Sequence, residues 1–166
     1  NNKLYWIVEL DSIPIGVVNI TNIDKNHKNC FWAFYLASPE VRGRGVGSYV
    51  EYSTLSYVFD VMNFHKLSCE VLSFNKKVVE MHKNFGFQQE GIFREHIFKN
   101  NELQHHEAFM LGCDSLMFDN CYKSFIARDE KDINEGVIIN SMIEHVVNCD
   151  NENNMEGFKV EDFKAR

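Results

Sequence analysis

Arg42-Gly43-Arg44-Gly45-Val46-Gly47 combines two ingredients of an anion site, backbone free of side chains and fixed positive charge. The six residues lie between the apolar run Phe31 to Leu36 and a helix-like segment from Ser48, in the order strand, glycine turn, helix. Glycines at alternate positions let the chain curl with no Cβ in the way. The N–H groups from Gly43 to Ser48 can then converge at a helix N-terminus, where the dipole favours negative charge. Arg42 and Arg44 add donors for phosphate oxygens, so the stretch reads as a phosphate cradle. An ordinary glycine-rich turn also fits these six residues in isolation. Two other phosphate motifs are excluded: no Lys-Ser/Thr follows the last glycine, and the G-x-G-x-G spacing is not that of a dinucleotide fingerprint.

The remaining candidates for chemistry are scattered. Glu70 sits in the strand-like run Leu67 to Leu72, where a carboxylate can take a proton, although a solvated edge charge is the commoner role of a strand glutamate. Asn75 follows as a helix N-cap. His82 falls on the apolar face Val78/Met81/Phe85 of a short helix, the usual place of a packed core histidine. His105 and His106 are adjacent, so on a strand they point to opposite faces and cannot chelate one ion together; no metal site is expected.

These residues need a scaffold. Leu4 to Leu10 and Pro14 to Ile20 flank the Asp11-Ser12 turn as a hairpin. Cys30 to Leu36 is almost wholly apolar, which predicts a central strand covered on both faces. Apolar residues at 50, 57, 58 and 61, with 52, 55, 59 and 62 beside them, predict a helix over 48–63. A helix that long returns the chain to the same end of the sheet, so Leu67 to Leu72 should run parallel to Cys30 to Leu36. Val78, Met81, His82 and Phe85 mark a second helix, which Gly86 stops. Phe87 to Phe98 and Gln104 to Leu111 flank Asn100-Asn101 as a closing hairpin, making the sheet mixed. Beyond about residue 114 the character changes. Ile133 to Val147 has helical amphipathic spacing and Asn148 to Arg166 is rich in Asn and charge, so residues 1–114 read as one domain and 115–166 as an extension. The apolar stripe of 133–147 should pack on the domain or on a second copy of the chain, a homodimer.

Composition narrows the partners. A net charge of −7 argues against a nucleic-acid surface, while leaving room for a local Arg pair to hold phosphate. Five cysteines at irregular spacing, with no C-x-x-C, suit reduced thiols. No apolar run approaches the ~18 residues of a membrane span, and no basic-then-apolar leader precedes the first strand. A cytoplasmic protein with no membrane partner is expected. The chain begins without Met and almost directly in a strand, which suggests an upstream segment cleaved, disordered or absent from the sequence.

The succession of strand, Pro39-Glu40-Val41-Arg42-Gly43-Arg44-Gly45, helix, strand ending at Asn75, short helix and Asn84-Phe85-Gly86-Phe87 resembles the GNAT superfamily of N-acetyltransferases over residues 4 to 112. Within it, 65–75 and 87–100 are similar to bacterial acetyltransferases that act on a UDP-linked amino sugar in pseudaminic acid synthesis. Ribosomal-protein N-terminal acetyltransferases share the Glu90-Gly91 and Arg94-Glu95-His96 portion. The resemblance implies an α/β fold with a mixed central sheet and splayed parallel strands, here without the family's usual N-terminal strand and helices. It also implies acetyl-CoA as co-substrate. Leu36 and Ala37 would meet the pantetheine amides, and Arg42, Gly43, Arg44, Gly45, Val46, Gly47 and Ser48 the pyrophosphate, with Asn75 beside them.

Direct attack by an amine needs a proton acceptor and a donor for the departing thiolate. Most relatives place Tyr where this chain has His82, which the resemblance makes the general acid; the base is Glu70 or relaying water. The expected acceptor is a small primary amine, a nucleotide amino sugar first. N-terminal peptide acetylation, and a non-catalytic module that binds acetyl-CoA or a protein partner, are the alternatives.

Overall fold

The computed structural model describes residues 2–99, 104–119 and 141–145. Two runs of alternating burial open the chain, β1 (Lys3–Leu10) and β2 (Ile13–Asp24), antiparallel as expected. β3 (Asn29–Leu36) pairs antiparallel with β2, and a 3-10 turn at Pro39–Val41 leads to the glycine loop. α1 (Val46–Ser56) starts two residues earlier than the periodicity predicts and ends in a π-helical turn, Tyr57–Val61. β4 (Lys66–Leu72), α2 (Lys76–Asn84), β5 (Gln88–Lys99) and β6 (Gln104–Asp114) complete the predicted series. The Asn100-Asn101 turn lies outside the described residues. Among the described residues the sheet has the order β5-β6-β4-β3-β2-β1-β7.

Three expectations are corrected. The π turn advances each residue by less than an α turn, so Val58 and Phe59 both face inward while Val61, expected on the buried stripe, is 50% exposed. β3 is central but not covered on both faces: Trp32 is buried, whereas Ala33 and Tyr35 on the opposite face are exposed. Both helices pack on the Trp32 face, through Trp6 against Tyr57 and Trp32 against His82. Finally, of the helix expected over 133–147, the described part is a strand, β7 (Ser141–His145), antiparallel to β1 with Ile7 opposite Ile143. The free edge of β1 offers a row of N–H and C=O groups that a strand satisfies and a helix does not. The rest of that segment lies outside the described residues.

β3 and β4 are the parallel pair, and they share only Asn29↔Lys66, Cys30↔Leu67 and Phe31↔Ser68. Beyond Phe31 and Ser68 the two strands part, each continuing for four or five residues. On its other side β3 is held by β2, where a bulge at Ile15 turns both Ile15 and Val18 into the core. Gly16 sits directly against β3: a Cβ there would overlap the Tyr35 carbonyl oxygen and lie 2.9 Å from Leu36 Cδ2. The carbonyl belongs to backbone and cannot swing away. Gly16→Ala is therefore expected to cost about 2 kcal/mol, within the usual range for overpacking. Denaturant unfolding would read this directly, and an unchanged midpoint would show that β2 and β3 can separate without cost.

Candidate active site

The chain turns at two of the three alternate glycines, and Arg44 donates its N–H back to the Val41 carbonyl at 3.4 Å. Gly43 and Gly45 take φ of +77° and +79°, a region costly for residues with a Cβ, and Gly45 caps α1. The first bond of α1 is Tyr49 N–H to the Gly45 carbonyl, 3.0 Å, so the N–H groups of Val46, Gly47 and Ser48 are left without helical partners. A Cβ at Gly43 or Gly45 would meet nothing within 4 Å: both face open space. Gly47 differs, because it lies inside the helix, 3.5 Å from Met81 Sδ if given a Cβ, and serves packing between α1 and α2. Arg42 and Arg44 are exposed and make no ion pair among the described residues. An anion at this loop would meet free N–H groups, a helix N-terminus and two guanidinium groups.

The loop stands at the open end of the gap between β3 and β4. Ala37 donates its N–H to the Ile15 carbonyl, 2.8 Å, so that donor is already taken by β2 and cannot serve pantetheine as expected. In an antiparallel ladder the backbone groups of successive residues point alternately to the two sides. With Val17↔Tyr35 and Ile15 to Ala37 on the β2 side, Phe34 and Leu36 turn their N–H and C=O toward the side β4 has left. Leu36, one of the two residues expected there, and Phe34 thus present free backbone to the gap. An extended amide-bearing ligand can pair there as an added strand. Asn75 occupies the N-cap position of α2, with its N–H bonded to the Leu72 carbonyl at 2.8 Å. Its exposed side chain makes no capping bond.

His82 lies where the gap closes. Its ring packs edge-on to Trp32, the first β3 residue beyond the last parallel pair, at 5.5 Å, and against Phe87 at 5.2 Å. Sequence reasoning missed its partner. Glu51 Oε1 lies 2.6 Å from His82 Nδ1, with the two side chains 0% and 4% exposed. The signal was present, since Glu51 is the sole charged residue of Val46–Ser56, a helix with no charged face to put it on. Burial pushes the Glu51 carboxyl up from its ordinary 4.5, while the hydrogen bond and charge of His82 pull it back.

Glu51 Oε2 is sealed from solvent without a partner. His82 Nε2 has no hydrogen bond among the described residues, and it is not among the sealed unpaired atoms, which are Trp32 Nε1, Glu51 Oε2 and Ser56 Oγ.

Glu70 is placed elsewhere. Leu67, Cys69 and Val71 of β4 are buried and Glu70 between them is exposed, so it points to the face opposite the Glu51–His82 pair. It lies 3.3 Å from His96 Nε2. The structure thus does not bring Glu70 and His82 together on one side of the sheet. Cys30, Cys69 and Cys113 are buried free thiols, and burial pushes Cys30 up to about 12, which removes it as a nucleophile. Among the described residues no cluster of three His, Cys, Asp or Glu could hold a metal ion, and no helix is long and apolar enough to cross a membrane. The side chains of His105 and His106 lie outside the described residues.

A family model, Acetyltransferase (GNAT) domain, matches residues 1–107. The chain belongs to the GNAT acetyltransferases. The spermidine N(1)-acetyltransferase of Escherichia coli K12 is 28% identical over 97 residues, covering 58% of this chain and 52% of the relative. That of Vibrio cholerae is 31% identical over 90 residues, 54% and 51%. This GNAT chain thus spans about half the length of the curated relatives it matches. A crystal structure of the V. cholerae spermidine N-acetyltransferase with CoA and spermine superposes with a TM-score of 0.65 at 23% identity, over 71% of this chain and 69% of that one, which establishes the shared fold.

Two outcomes are expected of this GNAT site. Gly45→Val would force a β-branched residue into a left-handed φ and fill the space an anion would occupy. Calorimetric titration should show acetyl-CoA binding weakened by ~10-fold or more, about 1.4 kcal/mol; equal affinity in a folded variant would remove the cradle. His82→Phe would leave the Glu51 carboxyl buried without its partner, at a cost of about 3 kcal/mol in unfolding free energy at neutral pH. A raised folded-state pKa confers stability that is full below the unfolded value and lost as pH rises through the folded one. The deficit of His82→Phe should therefore be small at acid pH, where the carboxyl is protonated in both proteins, and grow once pH passes the raised folded-state pKa of the wild type, and a deficit independent of pH would contradict the buried charge.

Proposed function

We propose that this protein transfers the acetyl group of acetyl-CoA to a primary amine, with a polyamine as acceptor. The observation that carries the reading is the parting of β3 from β4 after Phe31 and Ser68, with the glycine loop at its mouth and His82 at its closed end. Pantetheine extends along the freed backbone of Phe34 and Leu36. The pyrophosphate of CoA rests on the N–H groups of Val46, Gly47 and Ser48 with Arg42 and Arg44, and the thioester reaches the apex.

The amine attacks the thioester carbon, the C–N bond forms, and the C–S bond breaks. The ammonium proton leaves on the Glu70 side of the sheet, to the carboxylate, to His96 beside it or to water. His82 Nε2 gives its proton to the departing sulfur from the opposite side. Acceptance and donation from opposite faces keep the base from quenching the acid directly.

For the acceptor, the named relatives are spermidine acetyltransferases, and a chain of net charge −7 attracts a polycation. The nucleotide amino sugar expected from the sequence has no support among these relatives and gives way to the polyamine. An acceptor panel tests the reading: spermidine, a UDP-4-amino sugar and an N-terminal peptide, each with acetyl-CoA, following thiol release and product mass. Mono-acetylated spermidine with no product from the other two is expected. Product from the sugar or the peptide alone would overturn the acceptor, and thiol release with none of them would overturn the reaction.

A further inference from the structure

We infer that Glu51 is the positioning residue of the proton donor: its carboxylate holds His82 through Nδ1 and leaves Nε2 as the working nitrogen of the ring. This rests on the reading that His82 protonates the leaving thiolate.

The geometry is specific. Glu51 Oε1 takes Nδ1 at 2.6 Å, the rings of Trp32 and Phe87 fix the imidazole plane, and Nε2 is the one ring nitrogen left without a partner among the described residues. Neutral imidazole has one N–H, and a carboxylate at Nδ1 decides where it sits once the other proton is gone. In the donating state the pair holds two protons and no net charge. During thiolate departure the Nε2–H bond breaks with its electron pair kept by nitrogen, an S–H bond forms, and Nδ1–H remains hydrogen-bonded to the carboxylate. Restoring the pair takes one proton from solvent.

A lone imidazolium among Trp32 and Phe87 would be costly, and the Glu51 charge offsets it. Among the described residues, Cys69 from β4 interacts with Glu51, and burial keeps it a thiol, while Trp32 of β3 and Phe87 before β5 contribute aromatic rings. Glu51 also lies on the helix that Gly45 caps, six residues on or roughly 9 Å along the axis, so one rigid element fixes both the phosphate loop and the proton donor.

The test compares the wild type with Glu51→Gln and Glu51→Asp, using acetyl-CoA and whichever amine of the panel the wild type acetylates. Glu51→Gln keeps the volume and removes the charge. The expected result is a kcat lowered by ~10- to 100-fold at neutral pH, with KM for acetyl-CoA changed less than ~3-fold, and the alkaline limb of the kcat profile displaced to lower pH. Glu51→Asp should recover part of kcat and of the limb. A folded Glu51→Gln with wild-type kcat and limb would overturn the proposal. So would a loss in which kcat, KM and thermal midpoint fall together with no recovery in Glu51→Asp, the pattern of a merely structural residue.

The 15N shifts of His82 in the wild type provide a measurement free of the acceptor. Above the alkaline limb, or at pH ~10 if no amine is acetylated, the ring should carry its proton on Nδ1, and a proton on Nε2 there would overturn the assignment. A wild type inactive on every amine but with His82 protonated on Nδ1 would overturn the proposed function and leave the positioning role supported.

Discussion

The whole arrangement depends on a hydrogen-bond ladder that stops. Two adjacent parallel strands normally pair along their length, because unpaired backbone N–H and C=O groups inside a sheet are costly. Here the pairing lasts three residues, and the groups of Phe34 and Leu36 that β4 would have satisfied are left facing a gap. β2 makes this tolerable: its antiparallel ladder with β3 continues to Gly16↔Leu36, so β3 stays straight and rigid on one side while its other side is open. The gap is thus held open by the ladder between two consecutive strands.

Electrostatics inside the gap follow from what lines it. The mouth is backbone and arginine, in contact with water, where an anion is attracted at little desolvation cost. The apex is Trp32, Phe87 and a buried carboxylate–imidazole pair, a low-dielectric surrounding in which one proton more or less is worth far more than at the surface. The same buried pair is a liability for stability, since neither partner tolerates removal of the other.

Asymmetry between the two faces of the sheet completes the picture. The α1/α2 face is closed and aromatic, whereas the opposite face shows Val17, Ala33, Tyr35 and Glu70 to solvent. A donor cofactor gripped from one side and an acceptor arriving from the other is a division that a two-faced sheet with a gap in it offers without further elements. The spermidine acetyltransferases share this fold over about seven-tenths of the present chain.

Local features of this protein were legible in the sequence because local physics determines them. An aromatic and β-branched run marked β1 and the run after Asp11-Ser12 marked β2, glycines marked three of the positions of positive φ, 43, 45 and 86, and the apolar spacing after Asn75 marked α2. The glycine loop was legible for the same reason, since a helix N-terminus preceded by glycines offers its N–H groups whatever surrounds it. Tertiary structure alone decided the rest. Glu51 meets His82 across 31 residues, a pairing that no local pattern encodes. The availability of Leu36 and not of the Ala37 N–H depends on the register between β2 and β3, where a shift by one residue would exchange the two. The strand at Ser141–His145 lies within 133–147, a segment whose apolar residues are spaced as a helix would space them, and it is β because the open edge of β1, more than 130 residues earlier, supplies the hydrogen bonds.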